Sequence, residues 1–202
     1  MVLFHGVLPT GQQPTALATS PDGVTFKEYK FPVIFTHPNR QNSWYGQSTS
    51  YARIVKDGAL FIATFQGNGL GYNVQVGGVT TVAGLEMSED GIHWRVAKRP
   101  LIANACGTRG PFAPILTSLW GRWLMLFERK RFHEIGGAFS VGLDVMGPYE
   151  DIGTVIPVIP GISNMGWPFP VFLGHHLYLL YGAQRDKRGA IYASVVDWRD
   201  GI

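Results

Sequence analysis

The chain has 202 residues, 46% of them hydrophobic and only 15% charged, which is a globular composition with a sizeable core rather than a disordered one. The net charge is +3, with basic residues scattered apart from Arg129-Lys130-Arg131 and the stretch from Arg185 to Arg188, so the dense basic stripe of a nucleic-acid binder is missing and no such partner is expected. A single cysteine, Cys106, excludes an intrachain disulfide, and no run approaches the length of an apolar membrane span.

The N-terminal Met1-Val-Leu-Phe-His has neither the basic region nor the long apolar run of a secretory signal. Thr15-Ala-Leu-Ala-Thr reads as a strand, followed by the turn Ser20-Pro-Asp-Gly-Val-Thr-Phe. No complete hairpin precedes it, so 1-36 is a partial unit. Trp44 to Val55, the turn Lys56-Asp-Gly and Ala59 to Phe65 then read as a hairpin. Val82 to Met87 and the box Ser88-Glu-Asp-Gly-Ile-His-Trp complete a unit over 44-104. Between them, Gly67-Asn-Gly-Leu-Gly lacks the following helix and Lys-Ser/Thr of a phosphate cradle and reads as a loop. A third unit, 110-160, has a strand from Gly110, the turn Trp120-Gly, a strand Arg122 to Glu128, a strand Ala138 to Val145, and Gly147-Pro-Tyr-Glu-Asp. The last, 166-202, has Gly166 to Leu173, the turn Gly174-His, His176 to Gly182, Ala190 to Val196, and Asp197-Trp-Arg-Asp-Gly.

Four strands in roughly 50–70 residues is the period of propeller blades. No stretch of 11 or more residues keeps a helical apolar period, so almost no helix is expected. The expected fold is all-β: a single β-propeller domain over 1-202, of four-stranded antiparallel blades and about three and a half of them. The ring is either incomplete or closed, by Met1–Leu8 pairing with the last blade or by a second copy, since unpaired strand edges invite association. A two-sheet sandwich accounts for short strands but not for the repeated order of hairpin, strand, Ser-Asp-Gly turn, strand. In those turns Ser and Asp side chains cap backbone amides and Gly takes a positive φ. Asp22 and Asp90 therefore read as structural.

Ser88-Glu-Asp-Gly-Ile-His-Trp, Gly147-Pro-Tyr-Glu-Asp-Ile-Gly, and Pro111-Phe-Ala-Pro-Ile followed by Gly121-Arg-Trp-Leu-Met-Leu-Phe resemble the blades of five-bladed β-propeller glycosidases, glycoside hydrolase families 43, 32 and 130 and their relatives. The resemblance implies carbohydrate-directed chemistry. Family 43 enzymes carry a base, a pKa-modulating Asp and a general-acid Glu at the inner ends of successive blades, and their inner strands often open with Asp-Pro or Ala-Pro-Glu. Here Ile115 follows Ala113-Pro114 where the acid would stand, and neither Trp167–Pro170 nor Tyr45–Tyr51 holds a carboxylate. Those roles are not carried over.

Glycoside hydrolysis needs two carboxyl groups facing one cleft. Of the 14 acidic residues, those outside turns and outer strands are Glu86, Glu128, Glu134, Asp144 and Asp186. Glu86 and Asp144 occupy similar places in two third strands. Glu128 closes a second strand, and Asp186 follows Arg185 at the corresponding place one blade later. Glu128 and Asp186 are the expected catalytic acid and base, against the plainer reading of both as solvated loop charges. Trp44, Tyr45, Phe112, Trp167 and Phe169 recur at the entrance to inner strands, where sugar faces stack on such rings. Gln47, Arg109, Gln184 and Arg185 are the expected polar partners, and the alternative for the rings is packing between blades. The six histidines show no zinc-ligand spacing, and no cofactor is expected. Cys106 has no His partner suggested by sequence.

The functional expectation is a carbohydrate-directed propeller that binds or hydrolyses a glycan with a divergent site, with a possible homo-oligomer. The alternative is a non-enzymatic structural or adhesion module of a larger assembly, such as a virion or surface complex. A third reading is a glycosidase whose site a second subunit completes.

Overall fold

The computed structural model describes residues 1–34, 36–37, 43–69, 81–102, 111–129, 134–185 and 188–196. Among them there is no helix. Four antiparallel sheets follow one another along the chain. The first holds β1 (Val2–His5), β2 (Thr15–Thr19) and β3 (Lys27–Ile34). The second holds β4 (Ser48–Asp57), β5 (Leu60–Asn68), β6 (Thr81–Ser88) and β7 (Arg95–Val96). The third holds β8 (Phe112–Leu119), β9 (Arg122–Arg129), β10 (Glu134–Ser140) and β11 (Tyr149–Ile156). The fourth holds β12 (Ile162–Leu173), β13 (His176–Arg185) and β14 (Arg188–Val196). Each sheet pairs its strands in chain order. The result is a propeller of four blades that is not closed. β4, β8 and β12 are the inner strands, and each touches the next.

The stacking follows from two-residue alternation. In β9, Trp123, Met125 and Phe127 face the second sheet and join Ile62, Leu85 and Leu116 in one core. Leu124 and Leu126 face the fourth and join Leu177, Leu179 and Tyr181. Leu17 and Ile34 meet Trp94 and Val96 between the first and second sheets. At roughly 1.5–3 kcal/mol for each buried Leu, Ile, Phe or Met, these three layers supply most of the driving force. Tight turns set the hairpins. At Trp120-Gly121 both residues have positive φ, 52° and 71°, as a type I′ turn requires.

The first sheet begins one strand into a blade. β2 and β3 flank the Ser20 turn as β6 and β7 flank the Ser88 turn, so β1 stands where β5 does. In both turns the serine hydroxyl donates to the aspartate and accepts the glycine N–H, while the aspartate accepts two further amides. Gly23 and Gly91 both have φ of 75°. One strand differs from expectation: β10 ends at Ser140, and Asp144 lies in the turn beyond it, accepting the Met146 N–H at 2.8 Å. The Asp144 site is therefore not the counterpart of Glu86, which is fully buried in β6. The glycines at 136 and 137 let β10 pass close to the side chains of Arg129, Phe127 and Val155.

Candidate functional site

The three inner strands share one irregularity. Ser50 pairs with Gln66 and Arg53 with Thr64. Phe112 pairs with Glu128 and Ile115 with Leu126. Gly166 pairs with Gly182 and Phe169 with Leu180. In each case the inner strand has one extra residue, a β-bulge. The bulges fall at Tyr51, Ala113 and Trp167.

A bulge leaves backbone groups without ladder partners, and these are closed by side chains from another blade. The Thr64 hydroxyl donates to the Pro114 carbonyl at 2.7 Å. The Arg53 Nη1 donates to the Pro168 carbonyl. The Trp167 N–H donates to Glu128 Oε1 at 2.7 Å. Just before the bulge of β4, the Thr15 hydroxyl donates to the Thr49 carbonyl.

Between these strands lies a cleft of about 580 Å³, within the size range of small-ligand sites. Its wall is mostly apolar, with Phe112, Met165, Trp167 and Ile191 among its residues. Its polar groups include Gln66, Glu128, Asn164 and Gln184. Asn164 Nδ2 donates to Gln184 Oε1 at 2.7 Å, which fixes that amide pair at the rim.

Glu128 is the chemically distinctive group. It continues the Leu124–Leu126 face of β9 and is 1% exposed. Oε1 is held by the Trp167 amide, while buried Oε2 has no hydrogen-bond partner. The carboxylate fits because residue 166 is glycine: a Cβ there would stand 2.4 Å from Oε1. Burial pushes the Glu128 carboxyl up to about 7, against the opposing pull of the Trp167 N–H and the Arg53 guanidinium. Burial also lowers Arg53 from its ordinary value. A carboxyl balanced near neutral pH serves either as a hydrogen-bond donor or as an acceptor.

Of the residues expected from sequence, Phe112, Glu128, Trp167 and Gln184 meet in this cleft. Trp44 and Tyr45 pack elsewhere. Trp44 is 5% exposed and stacks on Phe65, with centroids 5.6 Å apart, and the Tyr45 ring abuts it. Gly67 makes room for that indole, since a Cβ there would lie 2.8 Å from it. Gln47 donates to the Gly11 carbonyl at 2.6 Å. Arg185 is exposed at the end of β13, opposite Arg188. Asp186 and Arg109 lie outside the described residues. The register gives Glu128 counterparts in Gln66 and Gly182.

Tyr51, Gln66 and Asn164 also face the cleft and were missed. Aligning the residue before Pro114 and Pro168 with position 51 would have pointed to Tyr51, whose ring packs 4.9 Å from that of His5.

No protein-family model and no curated protein matches the chain. Solved structures do. A thermostable family-43 glycoside hydrolase superposes with a TM-score of 0.77 at 17% identity, over 98% of this chain and 68% of that one. A β-1,2-mannobiose phosphorylase from Listeria innocua, in complex with β-1,2-mannobiose, gives 0.68 at 15% identity, over 92% and 50%. A family-32 β-fructofuranosidase from Bombyx mori, in complex with sucrose, gives 0.68 at 15%, over 96% and 44%. The chain thus has the β-propeller fold of these proteins and spans 44% to 68% of their length.

Proposed function

We propose that this propeller binds an uncharged glycan in the cleft between β4, β8 and β12, with Glu128 as its polar anchor. The observation that carries the reading is the Glu128 carboxyl: buried, fixed through one oxygen, and with its second oxygen unpartnered in an aromatic-walled cleft. A buried polar atom left unpaired is costly, and a ligand hydroxyl would satisfy it. Trp167, 52% exposed, offers a face for the apolar side of a sugar ring. The mannobiose and sucrose complexes of similarly folded proteins support a carbohydrate ligand.

Among the described residues that line the cleft, Glu128 is the one carboxyl group. Hydrolysis needs a second, so binding is the reading the geometry favours. The elevated value of Glu128 supports a second reading, in which it acts as a general acid with Asp186 as base.

A glycan array followed by titration calorimetry tests the first reading, and an aryl-glycoside screen tests the second. Binding abolished by Glu128→Ala, without turnover, supports the glycan-binding propeller. Turnover lost in both Glu128→Gln and Asp186→Asn supports the hydrolase. An array with no hit would sink both and favour a non-enzymatic assembly module.

A further inference from the structure

The bulged residues carry more information than their position. All three are non-glycine residues in the left-handed region: Tyr51 at φ 57°, Ala113 at 44° and Trp167 at 53°. That conformation is uncommon for residues with a Cβ, and strain of this kind clusters at ligand sites. A bulge also re-aims the side chain it carries. All three residues line the same cleft. Because β8 lies between β4 and β12, the order around the cleft is tyrosine, alanine, tryptophan. Two half-exposed rings thus flank a single methyl group, and Ala113 itself is only 2% exposed. The backbone at this point is held, since the Pro114 carbonyl accepts the Thr64 hydroxyl.

We propose that residue 113 determines which sugar the cleft accepts: its small side chain keeps open the space between Tyr51 and Trp167, into which one uncharged sugar ring inserts toward Glu128. The inference rests on the glycan-binding reading. A neutral ring is the fitting class because the ring would meet the Glu128 carboxyl, and the Arg53 Nη1 is engaged by the Pro168 carbonyl. A bulkier residue at 113 fills that space. The same backbone conformation already carries an aromatic side chain at 51 and at 167, so the fold has a precedent for one at 113.

The test uses the full chain with Ala113→Gly, Ala113→Asn and Ala113→Phe. Asparagine is the intermediate step, because it tolerates a left-handed φ better than most residues. It keeps the series informative if the phenylalanine variant does not fold. The first readout needs no glycan: acrylamide quenching of Trp167, isolated by subtracting the matching Trp167→Phe protein. Quenching should fall about twofold in Ala113→Phe, less in Ala113→Asn, and not at all in Ala113→Gly. The second is affinity for the glycans that the wild type binds on an array. It should drop about tenfold or more for Ala113→Phe, the scale of steric discrimination in a pocket. Ala113→Gly should keep those glycans and admit ring-substituted ones. Unchanged quenching in both larger variants overturns the proposal, as does reduced quenching with glycan selection unaltered. A wild type that binds no glycan, with quenching that still falls in Ala113→Phe, overturns the glycan-binding reading while leaving size control at 113 in place.

Discussion

The outer turns and the inner bulges of this propeller solve the same problem in opposite ways. Both contain backbone amides or carbonyls that the sheet ladder does not pair. At Ser20–Thr25 and Ser88–His93 the partners come from the same few residues, and the aspartates that supply them are solvent-exposed. At the bulges the partners come from other blades. Thr64 reaches a carbonyl 50 residues away, Glu128 an amide 39 away and Arg53 a carbonyl 115 away. The outer solution is local and self-contained, whereas the inner one exists only once the blades have stacked. Glu128, which faces the central cleft, is thereby committed to holding the backbone before any ligand arrives.

Glu128→Ala should break the inner solution most severely. It removes the acceptor of the part-buried Trp167 amide, a hydrogen bond to a carboxyl group that contributes about 2 kcal/mol, and it removes the proposed anchor. Urea unfolding should show the loss and calorimetry should show no glycan binding, whereas Glu128→Gln should retain most of the stability because it keeps an acceptor for that amide. Thr64→Val keeps shape but deprives the Pro114 carbonyl of its donor. The expected loss is about 1 kcal/mol by the same measurement. The pH dependence should separate the two regions by sign. Asp22 is held at about 2 against an ordinary 3.8 by the amides and Ser20 hydroxyl around it, so its contribution is present above pH 3.8 and lost as pH falls toward 2. Glu128 is raised from 4.5 to about 7, so the folded state holds that proton more tightly than the unfolded chain. Its contribution is present below pH 4.5 and lost as pH rises through 7. Glu86, raised by burial, adds in the same direction as Glu128. A thermal-midpoint profile should fall on both sides, and Glu128→Gln should make the neutral limb shallower, leaving the share due to Glu86, without changing the acid limb. Smallest of all should be Asp22→Ala or Asp90→Ala, whose midpoint shifts should stay below that of Thr64→Val. A larger shift would mean that the outer turns are not self-contained.

The same division explains what was legible in the sequence. Turn boxes and hairpins depend on neighbours in the chain, so Ser88, Asp90, Gly91 and the Trp120-Gly121 turn announce the blades. Blade stacking could be anticipated from alternation alone. The cleft could not, because its bulges shift the face on which each following residue lies. Trp44 and Tyr45 resembled Trp167 by composition and position in the repeat. Only the glycine at 67 and the ring of Phe65 reveal that Trp44 is core and that Tyr45 packs, half-buried, against it. Chain position after a strand does not reveal register, which makes Gly182 the counterpart of Glu128.

Tandem arrays whose units touch only through apolar faces tend to fray from their ends, one unit at a time. Here Thr15, Thr64 and Glu128 each close an open carbonyl or amide in the blade that follows. Losing one blade would strip its neighbour of a hydrogen-bond partner as well as a packing surface. Unfolding should therefore run as a single transition along the chain, with calorimetric and van't Hoff enthalpies in agreement.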